Sequence, residues 1–196
     1  MASGNPGKLR EFSQLFSPYH VRVLPQSAFA VPAVEETGAS FVENALIKAR
    51  HAAALSRRPV IADDSGIEVD VLNGEPGVYS ARYAGKDATD SDNLQLLLRN
   101  IAAAEVREPA ARFRCVIAYL RSAGDPEPLI AQGVWEGHIV DKPAGNNGFG
   151  YDPIFYVPTQ GCTSAQLPPE VKNAISHRGQ ALQNLVELMK QAKALE

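Results

Sequence analysis

Apolar residues recur along the chain in two rhythms. Near the N-terminus Leu9, Phe12, Leu15 and Phe16 are spaced by three and four. That spacing predicts an amphipathic helix, with Asn5 as N-cap and Pro6 as first helical residue. His20 to Leu24 then reads as a strand. A second helix is predicted from Ser40 to Ser56, opened by a Ser40–Glu43 capping box, with Phe41, Ala45, Ala52 and Leu55 on its apolar side. Pro59 to Asp63 is a compact apolar run ending in acids, predicted as a buried strand that turns at Gly66. Ile67 to Leu72 alternates as a half-buried strand does. Asp90 to Ala104 has helical spacing. Phe113–Leu120 and Leu129–Val140 are long, adjacent strand patterns, and Ile154–Val157 is a short one. A last helix is expected from about Gly179 to Leu195, with Leu182, Leu185, Leu188 or Met189, and Ala192 inward. Helices mixed with adjacent strands predict an α/β chain whose sheet is mixed rather than purely parallel.

Composition narrows the class. The 196 residues suit one domain, or two lobes around a cleft. The formal charge of −3 argues against tracking a nucleic-acid polymer, which favours a basic surplus. None of the apolar runs approaches the ~20 residues that cross a bilayer, so no membrane partner is expected. Two cysteines, Cys115 and Cys162, lack metal-like spacing and fit a reducing cytoplasm. Cys115, inside an apolar run, is expected to be a buried thiol.

Several polar groups carry candidate chemistry. Ser3-Gly4-Asn5-Pro6-Gly7-Lys8 is a small-residue loop opening into a helix, where free N–H groups and a lysine suit an anion. It can equally be an ordinary helix start, and it lacks P-loop spacing. Asp63 and Asp64 follow an apolar strand, and successive strand side chains face opposite ways. One of the pair is therefore expected in a cleft and the other in a structural role. A carboxylate here can hold Mg²⁺ or orient a water, or it can cap an Asp-Asp-Ser-Gly turn. Glu35 and Glu36 form a second acidic point, and Asn44 and Lys48 share a helix face at i, i+4. Phe149, set between glycines in 148–150, is a hinge plug or a platform for a flat ligand; stacking on a base is worth ~1–3 kcal/mol. Lys172, His177 and Arg178 place donors at the entry to the last helix.

The ordered set resembles the inosine triphosphate pyrophosphatase family, bacterial branch. The matching stretches are Ser-Gly-Asn-Pro-Gly-Lys at 3–8, Glu-Glu-Thr-Gly at 35–38, and Phe-Val-Glu-Asn-Ala at 41–45 with Lys48. Ile-Ala-Asp-Asp-Ser-Gly at 61–66 and Pro-Gly-Val-Tyr-Ser-Ala-Arg-Tyr at 76–83 follow. Gly-Phe-Gly-Tyr-Asp-Pro at 148–153 and Ile-Ser-His-Arg-Gly at 175–179 complete the set. Each is weak alone, but together and in order they span nearly the whole chain.

The resemblance implies a single catalytic domain built on a mixed, elongated central sheet flanked by helices, two lobes with a cleft between them, and a homodimer. It implies Mg²⁺-dependent hydrolysis of ITP, dITP and XTP to monophosphate and pyrophosphate, which keeps these bases out of DNA and RNA. By the matching positions Ser3, Gly4, Asn5, Gly7, Lys8 and Lys48 serve the phosphates. Asp64 is the proton acceptor and a metal ligand. Glu35 or Glu36, with Glu35 favoured, joins it on the metal. Ser65, Phe149, Gly150, Tyr151, Asp152, Lys172, His177 and Arg178 contact the nucleotide. Family members usually carry four or five more apolar residues before the first motif, which here implies either a truncated start or a shortened first strand. Two rivals are a pyrophosphatase for modified pyrimidine nucleotides and a nucleotide-binding regulator without hydrolysis; the 149–152 and 177–178 motifs oppose the first, and Glu35, Asp64 and the lysines oppose the second.

Overall fold

The computed structural model describes residues 1–2 and 6–195. The N-cap expected at Asn5 and the phosphate-loop residues Ser3 and Gly4 lie outside the described residues. The regular elements run α1 (Pro6–Phe16), α2 (Phe41–Ser56), β1 (Val60–Val69), α3 (Asp90–Ala103), β2 (Ala110–Leu120), β3 (Leu129–Ile139), β4 (Phe155–Val157), β5 (Cys162–Thr163), α4 (Pro169–Ile175) and α5 (His177–Gln191), with short 3-10 turns between them. The five strands form one sheet in the order β1-β2-β3-β4-β5. β3 and β4 pair antiparallel, His138 opposite Tyr156, and β4 and β5 pair antiparallel, Val157 opposite Cys162.

The chain divides into two compact units, one of Met1–Asp64, Cys115–Gly133 and Ala181–Glu196, the other of Ser65–Arg114 and Val134–Gln180. Each has its own core. The first gathers Phe12, Phe16, Ile61, Cys115, Ile117 and Leu185. Cys115 is fully buried, as its apolar run predicts. The second gathers Ile67, Leu97, Phe113, Trp135, Ile154 and Phe155.

Local signals explain the starts of α2 and α3. Ser40 caps α2 with the expected capping box, its hydroxyl accepting from the Glu43 amide. Thr89 and Asp92 build a second box on α3. Leu55, expected on the inward side of α2, is 53% exposed, because it lies one position off the stripe formed by Ala45, Ala49, Ala52 and Ala53.

Two strand expectations are corrected. β1 does not turn at Gly66: it runs unbroken from Val60 to Val69 because residues on both sides of the glycine are buried within the sheet. Residues 70–72 instead form a 3-10 turn. Residues 20–24 form no strand. His20 closes a 3-10 turn at φ 56°, outside the β region, and Val21 is exposed. Among the described residues the Met1 amino group donates to the Leu24 carbonyl at 2.7 Å, the Val21 amide to the Phe16 carbonyl at 3.4 Å, and the Ala2 amide to the Ile61 carbonyl at 2.8 Å.

Candidate active site

The two aspartates of β1 sit inside the strand, not at its carboxyl end, and alternation sends them to different partners. Asp63, 2% exposed, pairs with the Lys8 ammonium at 2.7 Å. Asp64, 7% exposed, accepts from Asn44 Nδ2 at 3.2 Å and Lys48 Nζ at 3.0 Å. Lys48 also donates to Glu36 Oε1 at 2.8 Å. One ammonium therefore holds two carboxylates. Glu36 is the member of the acidic pair brought there, and Glu35 is exposed.

Burial lifts the Asp64 carboxyl above the ordinary carboxylate range; Lys48 pulls it back and Glu36 adds to the rise. Burial works to lower Lys48, but Asp64 and Glu36 outweigh it and hold the lysine above its usual range. The cluster is thus an ion pair whose carboxylate is held less tightly ionised than a surface one.

The loop that carries Glu36 is irregular from 31 to 38. It is fixed from α2: the Gly38 amide donates to Asn44 Oδ1 at 2.8 Å. A Cβ on Gly38 would stand 2.6 Å from Glu43 Cβ and 2.7 Å from Asn44 Oδ1, so only glycine lets the loop lie this close. Beside the cluster opens a cavity of about 210 Å³ lined by Lys8, Gln26, Glu36, Lys48, His51 and Asp63.

Asp64 and the Glu35–Glu36 pair are hard oxygen donors, the kind Mg²⁺ takes when waters and phosphate oxygens complete its shell. Among the described residues no three His, Cys, Asp or Glu side chains gather as a metal cage. A cation here would take one or two carboxylates from the protein.

The second unit holds the other predicted residues. Phe149 is 55% exposed, with Lys172 Nζ 5.4 Å and the Arg178 guanidinium 5.9 Å from its ring centre. Such cations are attracted to the ring face. The ring presents an open face rather than forming a buried plug. Asp152, 3% exposed, sets this loop: it accepts from the Phe149 amide at 2.8 Å, from Ser164 Oγ at 2.8 Å, and from Lys172 Nζ. Gly148, at φ 78°, meets Asp152 so closely that a Cβ would overlap its carboxylate. The Gly150 amide is held by Asp90 at 2.9 Å. Tyr151 is buried, and its hydroxyl donates to the Ser80 carbonyl at 2.8 Å; burial, with Tyr83 and Asp90 nearby, pushes its pKa far up, so it stays a neutral donor.

His177 stacks on Phe113, ring centres 4.8 Å apart and planes 11° from parallel, with Trp135 at 6.4 Å. Arg178 reaches Ser65 Oγ at 3.5 Å. Both are 7% exposed. The Phe113–Trp135 stack, Ser164, Asp90 and His51 were not singled out by sequence. Only His51 left a trace, as the next residue along the face of α2 that bears Asn44 and Lys48.

The α/β chain thus carries an ion-paired carboxylate cluster in one unit and, in the other, an exposed aromatic ring flanked by two cations. The chain belongs to the Ham1 family, which it matches over residues 1–188. It is 52% identical over 192 residues to the "dITP/XTP pyrophosphatase" of Photorhabdus laumondii, covering 98% of each chain. It is likewise 52% identical to the protein of that name from Vibrio cholerae, covering 98% of this chain and 96% of the relative. The solved HAM1 protein of Coxiella burnetii superposes with a TM-score of 0.93 at 52% identity, covering 96% of both chains. The family and the α/β fold read from the ordered motifs are borne out.

Proposed function

We propose that this protein is a nucleoside-triphosphate pyrophosphatase that hydrolyses deaminated purine nucleotides, ITP, dITP and XTP, to monophosphate and pyrophosphate. The observation that carries the reading is Asp64, a buried carboxylate held by Asn44 and Lys48 beside Glu36, in a chain of this family. The relatives' names supply the substrate class.

Asp64 orients a water toward the α-phosphorus and takes its proton, for which a raised carboxyl pKa is an advantage near neutral pH. Lys48 and Lys8 offset phosphate charge, exchanging part of their carboxylate pairing for phosphate oxygens. Asp64 and the Glu35–Glu36 pair would hold Mg²⁺, which would supply Lewis-acid stabilisation for charge on the phosphoryl oxygens. The amides and side chains of 3–8 add donors for phosphate.

In the second unit Phe149 stacks on the base and Lys172 and Arg178 add positive charge. His177 and Arg178 offer donors to a six-position carbonyl, which hypoxanthine and xanthine have and adenine lacks. The stacked His177 ring is fixed in advance, so an amino group there leaves a buried donor unpaired. The same reading places the protein in the cytoplasm as a homodimer that cleanses the nucleotide pool.

Pyrophosphate release from dITP, XTP, dGTP, dATP and dUTP, each with Mg²⁺ and with EDTA, tests it. Fast release from dITP and XTP that EDTA abolishes is expected. Equal release from all five would remove the base preference, and no release from any would remove the enzyme.

A further inference from the structure

Asn44, Lys48 and His51 stand at i, i+4 and i+7 on α2 and so share one face. Each takes hold of a different point of the irregular stretch 32–38. Asn44 Oδ1 accepts from the Gly38 amide at 2.8 Å, Lys48 donates to Glu36 at 2.8 Å, and His51 Nε2 lies 3.1 Å from the Pro32 carbonyl oxygen. A carbonyl oxygen only accepts, so Nε2 carries the proton. That bond is made by neutral and charged imidazole alike. The segment 32–38 has no helix or strand, and its acidic residues owe their place to these side-chain clamps. Asn44 and Lys48 also touch Asp64, but no bond from His51 to it is found, and His51 fixes the far end of the stretch.

We infer that His51 is a positioning residue for the metal-binding carboxylates: its bond to Pro32 holds the Glu35–Glu36 segment against α2 in the orientation that takes a divalent cation. The inference rests on the pyrophosphatase reading for its consequence, but not for its geometry. A segment released at Pro32 spends part of its time away from Asp64, and the cation's affinity falls by that fraction. Saturating cation draws the segment back, so turnover at high Mg²⁺ is retained.

The test compares the intact protein with His51→Ala, His51→Phe and His51→Gln. The glutamine amide can still donate to Pro32, whereas phenylalanine fills the space without a donor. Mn²⁺ binding, followed by electron paramagnetic resonance without nucleotide, should weaken about three- to tenfold in the Ala and Phe variants, the size expected for one lost hydrogen bond. It should return to within about twofold in the Gln variant. The Mg²⁺ concentration for half-maximal pyrophosphate release should rise in parallel, with kcat at saturating Mg²⁺ nearly constant. Unchanged Mn²⁺ binding in the Ala and Phe variants would overturn the inference, as would failure of glutamine to restore it. Loss of kcat with unaltered metal dependence would do the same, since it would give His51 another role. A wild-type protein that releases no pyrophosphate would remove the enzymatic reading, and the Mn²⁺ comparison would still decide the clamp.

Discussion

The Lys48 ammonium lies 3.0 Å from Asp64 Oδ1, and the same nitrogen reaches Glu36 at 2.8 Å. A lysine only 14% exposed thus neutralises two carboxylates. Removing it, as in Lys48→Met, leaves both without that partner. Because part of the cluster is wet, a loss of about 1–3 kcal/mol at pH 7 is expected, below the cost of breaking a fully buried pair. Asp64's folded pKa is already raised, chiefly by burial, and Lys48 is what restrains it. An acid with a raised folded pKa binds its proton more tightly in the folded state, so stability falls as pH rises through that range. The variant should therefore recover stability as pH drops toward the carboxylate range, which thermal melts across pH would detect.

Activity has the opposite slope. Asp64 must be ionised to take a proton, so kcat/KM should fall as pH drops through its raised pKa, above the ordinary value of about 4. With Lys48→Met that acidic limb should move to higher pH still. Asp64→Asn should retain the fold and lose roughly 10²- to 10⁴-fold in kcat. An acidic limb that stays put in the lysine variant would mean another group titrates.

Gly38→Ala tests the close approach of the acidic loop. The new Cβ would stand 2.6 Å from Glu43 Cβ, one bond from the α2 backbone, and 2.7 Å from Asn44 Oδ1, in a side chain held by its bonds to Gly38 and Asp64. The loop must lift, breaking the Gly38–Asn44 bond. A loss of about 1–3 kcal/mol is expected by chemical denaturation. The Mg²⁺ concentration for half-maximal turnover should rise with it.

Asp125 offers a control away from this cluster. It is 4% exposed, and its carboxylate accepts from the amides of Arg121 at 2.8 Å and Glu127 at 3.0 Å and from the Arg121 guanidinium. The Arg121 amide leads in holding its pKa below the usual aspartate value, with the Glu127 amide and the Arg121 charge adding to it. A depressed acid contributes stability that is present above its unfolded pKa near 4 and is lost as pH falls through the folded one. Asp125→Ala should lower Tm at pH 7 by several degrees, and the gap from wild type should close below pH 4. Pyrophosphate release per folded molecule should not change.

What sequence could read here was local. The Ser40–Glu43 box was visible because both partners lie within one turn. That Asp63 and Asp64 face different ways was legible, because strand alternation needs no tertiary knowledge, and they meet different lysines. Gly66 misled because a glycine after two acids has the composition of a turn, whereas burial on both sides carried the strand through it. Which glutamate approaches Asp64 depends on the path of an irregular loop, and that path is set by α2 side chains from 44 onward. That Asp152 also fixes its own loop was not legible, because its partners Ser164 and Lys172 lie 12 and 20 residues further along.

Phe149 and Arg178 separate affinity from choice. The Phe149 ring is 55% exposed and has no hydrogen-bonding group, so as the proposed base platform it would stack on any base alike. Phe149→Leu should raise KM for dITP, XTP and dATP by a similar factor, roughly 5- to 100-fold for a stack worth ~1–3 kcal/mol. The ratio of kcat/KM between dITP and dATP should stay within a few-fold of wild type. Arg178 is 7% exposed and can read the six position, so Arg178→Ala should cut that ratio, mainly by slowing dITP. Its cation also lies 5.9 Å from the Phe149 ring, so some general loss of affinity should accompany the change. A uniform loss across all nucleotides in the arginine variant would make Arg178 a phosphate or ring partner and leave discrimination to His177. Steady-state kinetics on the three nucleotides with both variants decides between these roles.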